Sequence, residues 1–180
     1  MRIIAGACRG RLLLAPPGDA TRPTAGRVRQ ALFDRLLHAP WAGRAVVEGA
    51  SVLDAFAGTG ALGLEAISRG AAHATFIEKA RPALAILRAN IAACRAGDRC
   101  TILQADALRP PPGQPCSLIF LDPPYGANLV PQAAAALAAA GWAAPGALFV
   151  AEVGRDDPVP ATDPLDDRTH GAARMVAWRI

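Results

Sequence analysis

Glycines and carboxylates recur where predicted strands end, the place at which an α/β sheet meets its ligand. Residues 58–63 have the pattern Gly-x-Gly-x-x-Gly between a predicted strand and a predicted helix. Glu78 lies 20 residues past the first of these glycines, at the end of the next predicted strand. This spacing is typical of folds that bind a nucleotide-like ligand, because glycine lets the backbone approach the ligand closely.

The position of Asp54 helps to decide which nucleotide-like ligand the site would bind. It ends the first predicted strand, four residues before Gly58. A dinucleotide would place its pyrophosphate near this carboxylate, and like charges repel at short range. S-adenosylmethionine has no phosphate and carries a cationic sulfonium and a cationic ammonium. The acidic mouth therefore favours S-adenosylmethionine over NAD. An alternative stays open, that Asp54 and Asp106 only cap the helices that follow them.

The ligand's other groups can be matched to further strand ends. Glu78 can accept hydrogen bonds from both ribose hydroxyls, and Asp106 can accept from the adenine amino group beside the backbone of Ala107. We therefore predict a cofactor site made of Asp54, Phe56, Gly58, Thr59, Gly60, Glu78, Lys79, Asp106 and Ala107.

A second motif, Asp122-Pro123-Pro124-Tyr125, follows a fully apolar predicted strand and so belongs to the same edge. The amino group of a nucleobase is a poor nucleophile, because its lone pair is delocalised into the ring. The carboxylate of Asp122 and the carbonyl of Pro123 can hold its hydrogens and aim the lone pair. Proline brings no competing N–H, and the ring of Tyr125 can stack on a base. We predict these four residues as catalytic, although a rigid strand-to-helix turn is the simpler alternative.

Alternating strand and helix patterns are expected to position both motifs. Strands are predicted at 52–56, 74–78, 101–105, 117–121, 147–151 and 172–180, and helices at 61–69, 82–95 and 130–140. The acidic, proline-rich stretch 156–167 is predicted as a loop. Such β-α-β repeats give an α/β fold, a doubly wound, Rossmann-like parallel sheet with helices on both faces. Ligands bind beyond the carboxyl ends of its strands.

The first 44 residues differ from the rest in pattern and charge. Residues 2–14 are predicted to form a β-hairpin, and apolar residues at helical spacing predict a helix from Thr24 to before Pro40. Residues 1–44 carry eight Arg and two Asp, a net +6, whereas residues 45–180 carry 11 basic and 13 acidic groups, a net −2. We predict a basic extension, 1–44, that binds a polyanionic partner, on a main domain, 45–180. Solvated arginines without a partner are the alternative. The predicted phosphate contacts are Arg9, Arg11, Arg22, Arg27 and Arg29.

Composition narrows the class of protein further. The chain has 180 residues, of which 52% are hydrophobic and 19% charged, as expected of a globular protein. No apolar run reaches the roughly 20 residues of a membrane span, and the N-terminus lacks the apolar core of a signal peptide. The four cysteines show no Cys-x-x-Cys spacing and no histidine nearby, so no metal site is expected. We expect a cytoplasmic monomer.

The two motifs resemble those of class I S-adenosylmethionine-dependent amino-methyltransferases. Residues 54–60 and 122–125 carry this resemblance, and residues 2–6, 9–11, 21–24, 27–33, 62–66 and 68–71 extend it over nearly the whole chain to the bacterial 16S rRNA guanine-N2 methyltransferase D family. The resemblance implies methyl transfer from S-adenosylmethionine to N2 of one guanine in 16S rRNA, on the small ribosomal subunit or its assembly intermediate. It implies that Asp122 and Pro123 hold the guanine amino group and that Tyr125 stacks on the base.

Other activities fit the same motifs. A DNA amino-methyltransferase shares the tetrapeptide but usually needs a target-recognition domain, for which 180 residues leave little room. A protein-glutamine methyltransferase typically has Asn where this chain has Asp122, and it needs no basic extension. An RNA-binding assembly factor with an inactive site is disfavoured by the intact glycines and strand-end acids.

Overall fold

A seven-stranded sheet in the order β3-β2-β1-β4-β5-β7-β6 forms the centre of the molecule. The computed structural model describes residues 1–16, 23–124, 128–161, 163–171 and 173–180. The strands are β1 (Ser51–Asp54), β2 (His73–Glu78), β3 (Cys100–Gln104), β4 (Cys116–Leu121), β5 (Ala143–Gly154), β6 (Asp166–His170) and β7 (Ala173–Arg179).

The predicted α/β fold with a doubly wound sheet is confirmed, although the sheet is mixed and only its first five strands are parallel. The strands β1 to β5 pair in parallel, whereas β7 pairs antiparallel with both β5 and β6. The strand β6 begins in the last two residues of the stretch 156–167 that was predicted as a loop, and it extends past that stretch to His170. Its sequence, Asp-Asp-Arg-Thr-His, has no apolar residue to reveal a strand. At the edge of the sheet such a strand pairs on one side only, so its pairing depends on β7 and not on its own pattern.

Four helices cover the two faces of the sheet unequally. They are α1 (Pro23–His38), α2 (Ala61–Ser68), α3 (Arg81–Ala93) and α4 (Leu129–Ala139). Side chains alternate between faces along a strand, so Leu118 and Phe120 of β4 join the hydrophobic cluster of α1, α2 and α3. Ile119 and Leu121 join the cluster of α4 on the other face. Helices α1, α2 and α3 therefore cover one face of the sheet, and α4 covers the other face.

The N-terminal extension packs into the main core. Its predicted hairpin appears as a single antiparallel bridge between Arg2 and Leu12. Two backbone bonds support the bridge, from the Ile3 N–H to the Arg11 carbonyl at 3.0 Å and from the Leu13 N–H to the Met1 carbonyl at 2.9 Å. Ile3 and Leu13 are buried in the cluster that also contains the sheet and α2. Burial of these two side chains, more than strand pairing, holds the extension in place.

A buried carboxylate fixes the extension to α2. Glu65 is fully buried and accepts the backbone N–H groups of Ile4 at 2.8 Å and Ala5 at 3.0 Å. The guanidinium of Arg69 pairs with it at 2.8 Å, and that of Arg29 lies 3.7 Å away. A buried charge is costly unless it is paired and hydrogen-bonded. Glu65 therefore requires the extension to stay docked.

Asn90 of α3 links the extension to the glycine-rich turn. Its side chain is fully buried. The amide oxygen accepts the Leu14 N–H at 2.7 Å, and the amide nitrogen donates to the Leu14 carbonyl at 3.1 Å and to the Thr59 carbonyl at 2.8 Å. One side chain thus satisfies three backbone groups from two separate segments.

Replacing Asn90→Leu is expected to lower the free energy of unfolding by roughly 2–4 kcal/mol, because the Leu14 and Thr59 backbone groups would be buried without partners. Urea denaturation measures the change. Arg88→Leu, at an exposed position of the same helix, is the control and should stay within about 0.5 kcal/mol of the wild type. Equal effects of the two substitutions would show that the Asn90 bonds are not needed.

Candidate active site

A cleft of about 670 Å³ lies at the carboxyl ends of the parallel strands. The glycine-rich turn and the ends of β1, β2 and β4 form much of its wall, and Val28 and Leu32 of α1 line it from the N-terminal extension. Of the predicted site residues, those that line the cleft are Asp54, Phe56, Gly58, Thr59, Glu78, Lys79, Asp106, Ala107, Asp122, Pro123 and Pro124. Both predicted motifs therefore line the same cleft. Tyr125 lies outside the described residues.

The three glycines of the pattern have different tasks. Gly58 lines the cleft with φ at +51°, a left-handed conformation that favours glycine. Gly60 is left-handed too, and a Cβ there would lie 2.3 Å from the side chain of Leu87. A Cβ on Gly63 would lie 2.4 Å from the ring of Phe76. Only the first glycine therefore faces the ligand space, and the other two let α2 pack against its neighbours.

Asp54 combines the two roles that the sequence left open. Its carboxylate accepts the Gly63 N–H at 3.0 Å and so caps the first turn of α2, while it also lines the cleft. Burial, and secondarily the charge of Glu78, raise its pKa to about 7, against the opposing effect of the Gly63 bond. A desolvated carboxylate of this kind gains most from a cationic ligand.

Glu78 and Asp106 both shape the backbone around the cleft. The Glu78 carboxylate accepts the N–H groups of Gly58 at 2.8 Å and Ala80 at 2.7 Å, which joins the end of β2 to the glycine-rich turn. Asp106 accepts the Leu108 N–H at 3.1 Å. That bond, helped by Lys79 at 3.4 Å, lowers the pKa of Asp106. These hydrogen bonds hold both side chains in position at the wall of the cleft.

Asp122 follows β4 directly and faces the cleft. Asp122 is exposed at the cleft, although neighbouring protein groups still displace part of the water around its carboxyl group. This desolvation is the largest cause of the raised pKa of Asp122, which is about 8. The negative charges of Glu152 and Asp54 also raise it. The carboxylates repel one another, and a cation bound between them would favour their charged forms.

The sequence analysis missed the residues that complete the cleft beside Asp122. They are Glu152 of β5, Met175 of β7, and Val28 and Leu32 of α1. A sequence clue to Glu152 existed, since it comes directly after a predicted apolar strand. No pattern places α1 or the antiparallel strand β7 over the site, because their positions depend on tertiary packing.

Of the five predicted phosphate contacts, the structure contradicts one. Arg29 is 5% exposed, and its guanidinium donates to the Arg2 carbonyl and to the sulfur of Met1. It therefore holds the extension together and cannot reach a phosphate on the surface. Arg9, Arg11 and Arg27 are exposed. Arg22 lies outside the described residues.

None of the helices in the described ranges is long and apolar enough to cross a membrane. Within the same part of the chain, no group of three or more His, Cys, Asp and Glu side chains could hold a metal ion.

Solved structures share this fold over nearly the whole chain. The methyltransferase yhhF from Escherichia coli superimposes with a TM-score of 0.84 at 36% identity, covering 99% of this chain and 97% of that one. An RNA methyltransferase from Salinibacter ruber, solved with S-adenosyl-L-homocysteine, has a TM-score of 0.62 at 14% identity, covering 89% and 92%, and shows the fold alone. The sheet and the acidic, glycine-edged cleft define a class I S-adenosylmethionine-dependent methyltransferase.

Sequence comparison narrows the class to a family. Residues 1–176 match the family described as Conserved hypothetical protein 95. Ribosomal RNA small subunit methyltransferase D of Escherichia coli is 39% identical over 183 residues, covering 100% of this chain and 88% of that protein. Its namesake in Haemophilus influenzae is 37% identical over 188 residues, covering 100% and 92%. The chain belongs to this family of ribosomal RNA small subunit methyltransferases.

The substitution Asp54→Asn is expected to stabilise the free protein most at alkaline pH. The folded Asp54 keeps its proton up to a pKa of about 7, above the ordinary value of 3.8. The folded state therefore binds more protons than the unfolded state between these values, and the stability of the wild type falls as pH rises through them. The gain from Asp54→Asn should be roughly 2 kcal/mol larger at pH 8 than at pH 5 by urea denaturation.

Asp98→Asn is the control, because Asp98 is exposed in a short surface turn. Its effect on stability should not change between the two pH values. A gain from Asp54→Asn that is the same at pH 5 and pH 8 would contradict the raised pKa.

Proposed function

We propose that the protein methylates the exocyclic N2 amino group of one guanine in 16S rRNA, using S-adenosylmethionine. The observation that carries the proposal is the position of Asp122 in one cleft with Asp54 and Glu78, in a chain of this methyltransferase family. Asp122, which can accept hydrogen bonds from an amino group, thereby lies in the same cleft as Asp54 and Glu78, whose carboxylates suit a cationic methyl donor.

The residues that line the cleft suit S-adenosylmethionine by charge and by shape. Asp54 would hold the cationic methionine end, and Gly58 would let the turn approach it closely. Glu78 would accept the ribose hydroxyls, since a carboxylate has about four acceptor sites and two N–H groups already occupy two of them. Asp106 and the backbone of Ala107 would hold the adenine, with Phe56, Thr59 and Lys79 completing the wall. When bound, S-adenosylmethionine supplies a methyl group on a positively charged sulfur.

Asp122 would activate the acceptor by holding a hydrogen of the guanine amino group. The hydrogen bond turns the nitrogen lone pair out of the base plane and toward the methyl carbon. Transfer of the methyl group would form the carbon–nitrogen bond, break the carbon–sulfur bond to leave a neutral thioether, and release one amino proton, which the Asp122 carboxylate could accept. The carbonyl of Pro123 would hold the second hydrogen, and Tyr125 would stack on the flipped base. Fixed geometry and electrostatics would supply most of the rate.

Residues 1–44 would bind the rRNA. The exposed side chains of Arg9, Arg11 and Arg27 carry positive charge on the same extension whose helix α1 lines the cleft. Contacts to phosphates would therefore place the target base at the entrance. We further propose that the substrate is the small ribosomal subunit or its assembly intermediate, and that the protein acts as a monomer in the cytoplasm, where ribosomes assemble.

The test incubates the purified protein with unmethylated small subunits and S-adenosylmethionine and identifies modified nucleosides by mass spectrometry. We expect N2-methylguanosine at one position of 16S rRNA. A different methylated nucleoside, or none, would overturn the proposed acceptor.

Asp122→Ala is expected to reduce kcat roughly 100-fold or more, because the amino group loses its acceptor. The kcat of Asp122→Asn should lie between those of Asp122→Ala and the wild type, because an amide oxygen still accepts a hydrogen bond but carries no charge. Single-turnover methylation of small subunits measures both variants. Near-normal turnover by Asp122→Ala would refute the role of this carboxylate.

Each of the substitutions Arg9→Ala, Arg11→Ala and Arg27→Ala is expected to weaken RNA binding and to lower the slope of log K against log salt by roughly one. Filter binding of small-subunit RNA at several salt concentrations measures the slope. Arg179→Ala is the matched control, because Arg179 is exposed at the far end of β7 from the cleft. Unchanged slopes for all three variants would contradict the proposal that the extension contacts the RNA.

A further inference from the structure

We propose that Glu152 is the residue that selects guanine, by accepting the N1–H of the target base while Asp122 holds its N2 amino group. The inference rests on the proposed function and deepens it. It assigns the choice of base to a second carboxylate that the sequence motifs do not contain.

Strand register places the two carboxylates side by side. In the parallel pairing of β4 with β5, Leu121 lies opposite Ala151. Asp122 is the first residue after β4 and Glu152 is the next residue of β5, so the two carboxylates directly follow a paired position. Neighbouring strands are about 4.8 Å apart, a spacing at which two carboxylates can contact adjacent atoms of one base. Both residues line the cleft.

Apolar side chains form the walls of this part of the cleft. Met175 pairs with Glu152 across β5 and β7, and Val28 and Leu32 approach from α1. Val150 lies on the floor. These side chains can contact the faces of a planar ring but offer it no hydrogen bond. Arg29 of α1 also lines the cleft, but its guanidinium only donates, to the Arg2 carbonyl and the Met1 sulfur. Among these described residues, Asp122 and Glu152 therefore supply the side-chain acceptors.

Guanine is the base whose edge matches two adjacent acceptors. Its N1–H and its N2 amino group are neighbouring donors, and ionised carboxylates only accept hydrogen bonds. Adenine and cytosine also carry an amino group, but the neighbouring ring nitrogen presents a lone pair. That lone pair would face the Glu152 carboxylate without a hydrogen between them. A site built to accept a hydrogen bond from the substrate rejects an analogue that presents a lone pair there.

The closeness of the two groups is also visible in their electrostatics. The Glu152 charge is the largest contribution from another side chain to the raised pKa of Asp122. Two like charges in one cleft repel each other. A base edge with two adjacent donors can bind both carboxylates together, whereas an edge with one donor would place a lone pair against Glu152.

The test compares Glu152→Gln with the wild type on two substrates, small subunits reconstituted with guanine or with 2-aminopurine at the methylated position. The base 2-aminopurine keeps the amino group at carbon 2 but has a lone pair at N1. The wild type should prefer guanine by roughly 10- to 100-fold in kcat/KM, the range of a hydrogen bond to a charged group. In Glu152→Gln the amide can donate to that lone pair, so the preference should shrink at least tenfold. The loss of O6 in 2-aminopurine affects both proteins equally and cancels in this comparison.

Binding supplies a readout that does not depend on methyl transfer. With S-adenosylhomocysteine in the site, the fluorescence of 2-aminopurine reports the base leaving the RNA stack. Glu152→Gln should bind the 2-aminopurine subunits at least tenfold more tightly than the wild type does. The exposed control Glu48→Gln, in a surface ion pair with Arg44, should match the wild type on both substrates.

Two results would overturn the inference, and they are distinguishable. If Glu152→Gln slows both substrates equally and leaves the preference unchanged, Glu152 has only a structural role while the proposed function stands. If the wild type methylates no guanine on the small subunit, the proposed function fails and the inference fails with it. Affinity for S-adenosylhomocysteine and the thermal midpoint show in each case that the variant is folded.

Discussion

Three carboxylates, Asp54, Asp122 and Glu152, line one cleft at the carboxyl ends of the parallel strands, and the surrounding elements hold them there. Asp54 and Asp122 have raised pKa values, and the charge of Glu152 contributes to the shift of Asp122. Such a cleft is unfavourable alone and favourable around a cation and hydrogen-bond donors. The free protein thus gives up stability for a site complementary to its ligands, as functional sites commonly do.

The extension is part of this site as well as the proposed RNA contact. Glu65 binds the backbone of residues 4 and 5, and Asn90 joins Leu14 to the glycine-rich turn at Thr59. The same extension supplies α1, which lines the cleft beside Asp122. The surface proposed to bind RNA and the turn proposed to bind the cofactor are therefore connected through one buried side chain. Displacing the extension would disturb both.

Much of the fold could be predicted from local patterns. The apolar runs of β1, β2 and β4 and the helical spacing of α2 and α3 predicted elements to within about two residues of their observed ends. The strand β6 was missed, because an edge strand can be wholly polar. Arg29 was misassigned to the surface because its charge suggested solvent, whereas Arg2 and Glu65 bury it. Charge alone does not reveal a buried partner more than 30 residues away.

The sequence by itself determined the types of group available and their order along the chain: an acid before a glycine-rich turn, acids after successive strands, and Asp-Pro-Pro-Tyr after an apolar strand. These are local features, and parallel strands bring their carboxyl ends to one edge of a sheet. Only the tertiary structure decided that Glu152 lies beside Asp122, that α1 lines the cleft and that Arg29 is buried. Those facts depend on strand register and on the packing of distant segments, which no local pattern encodes.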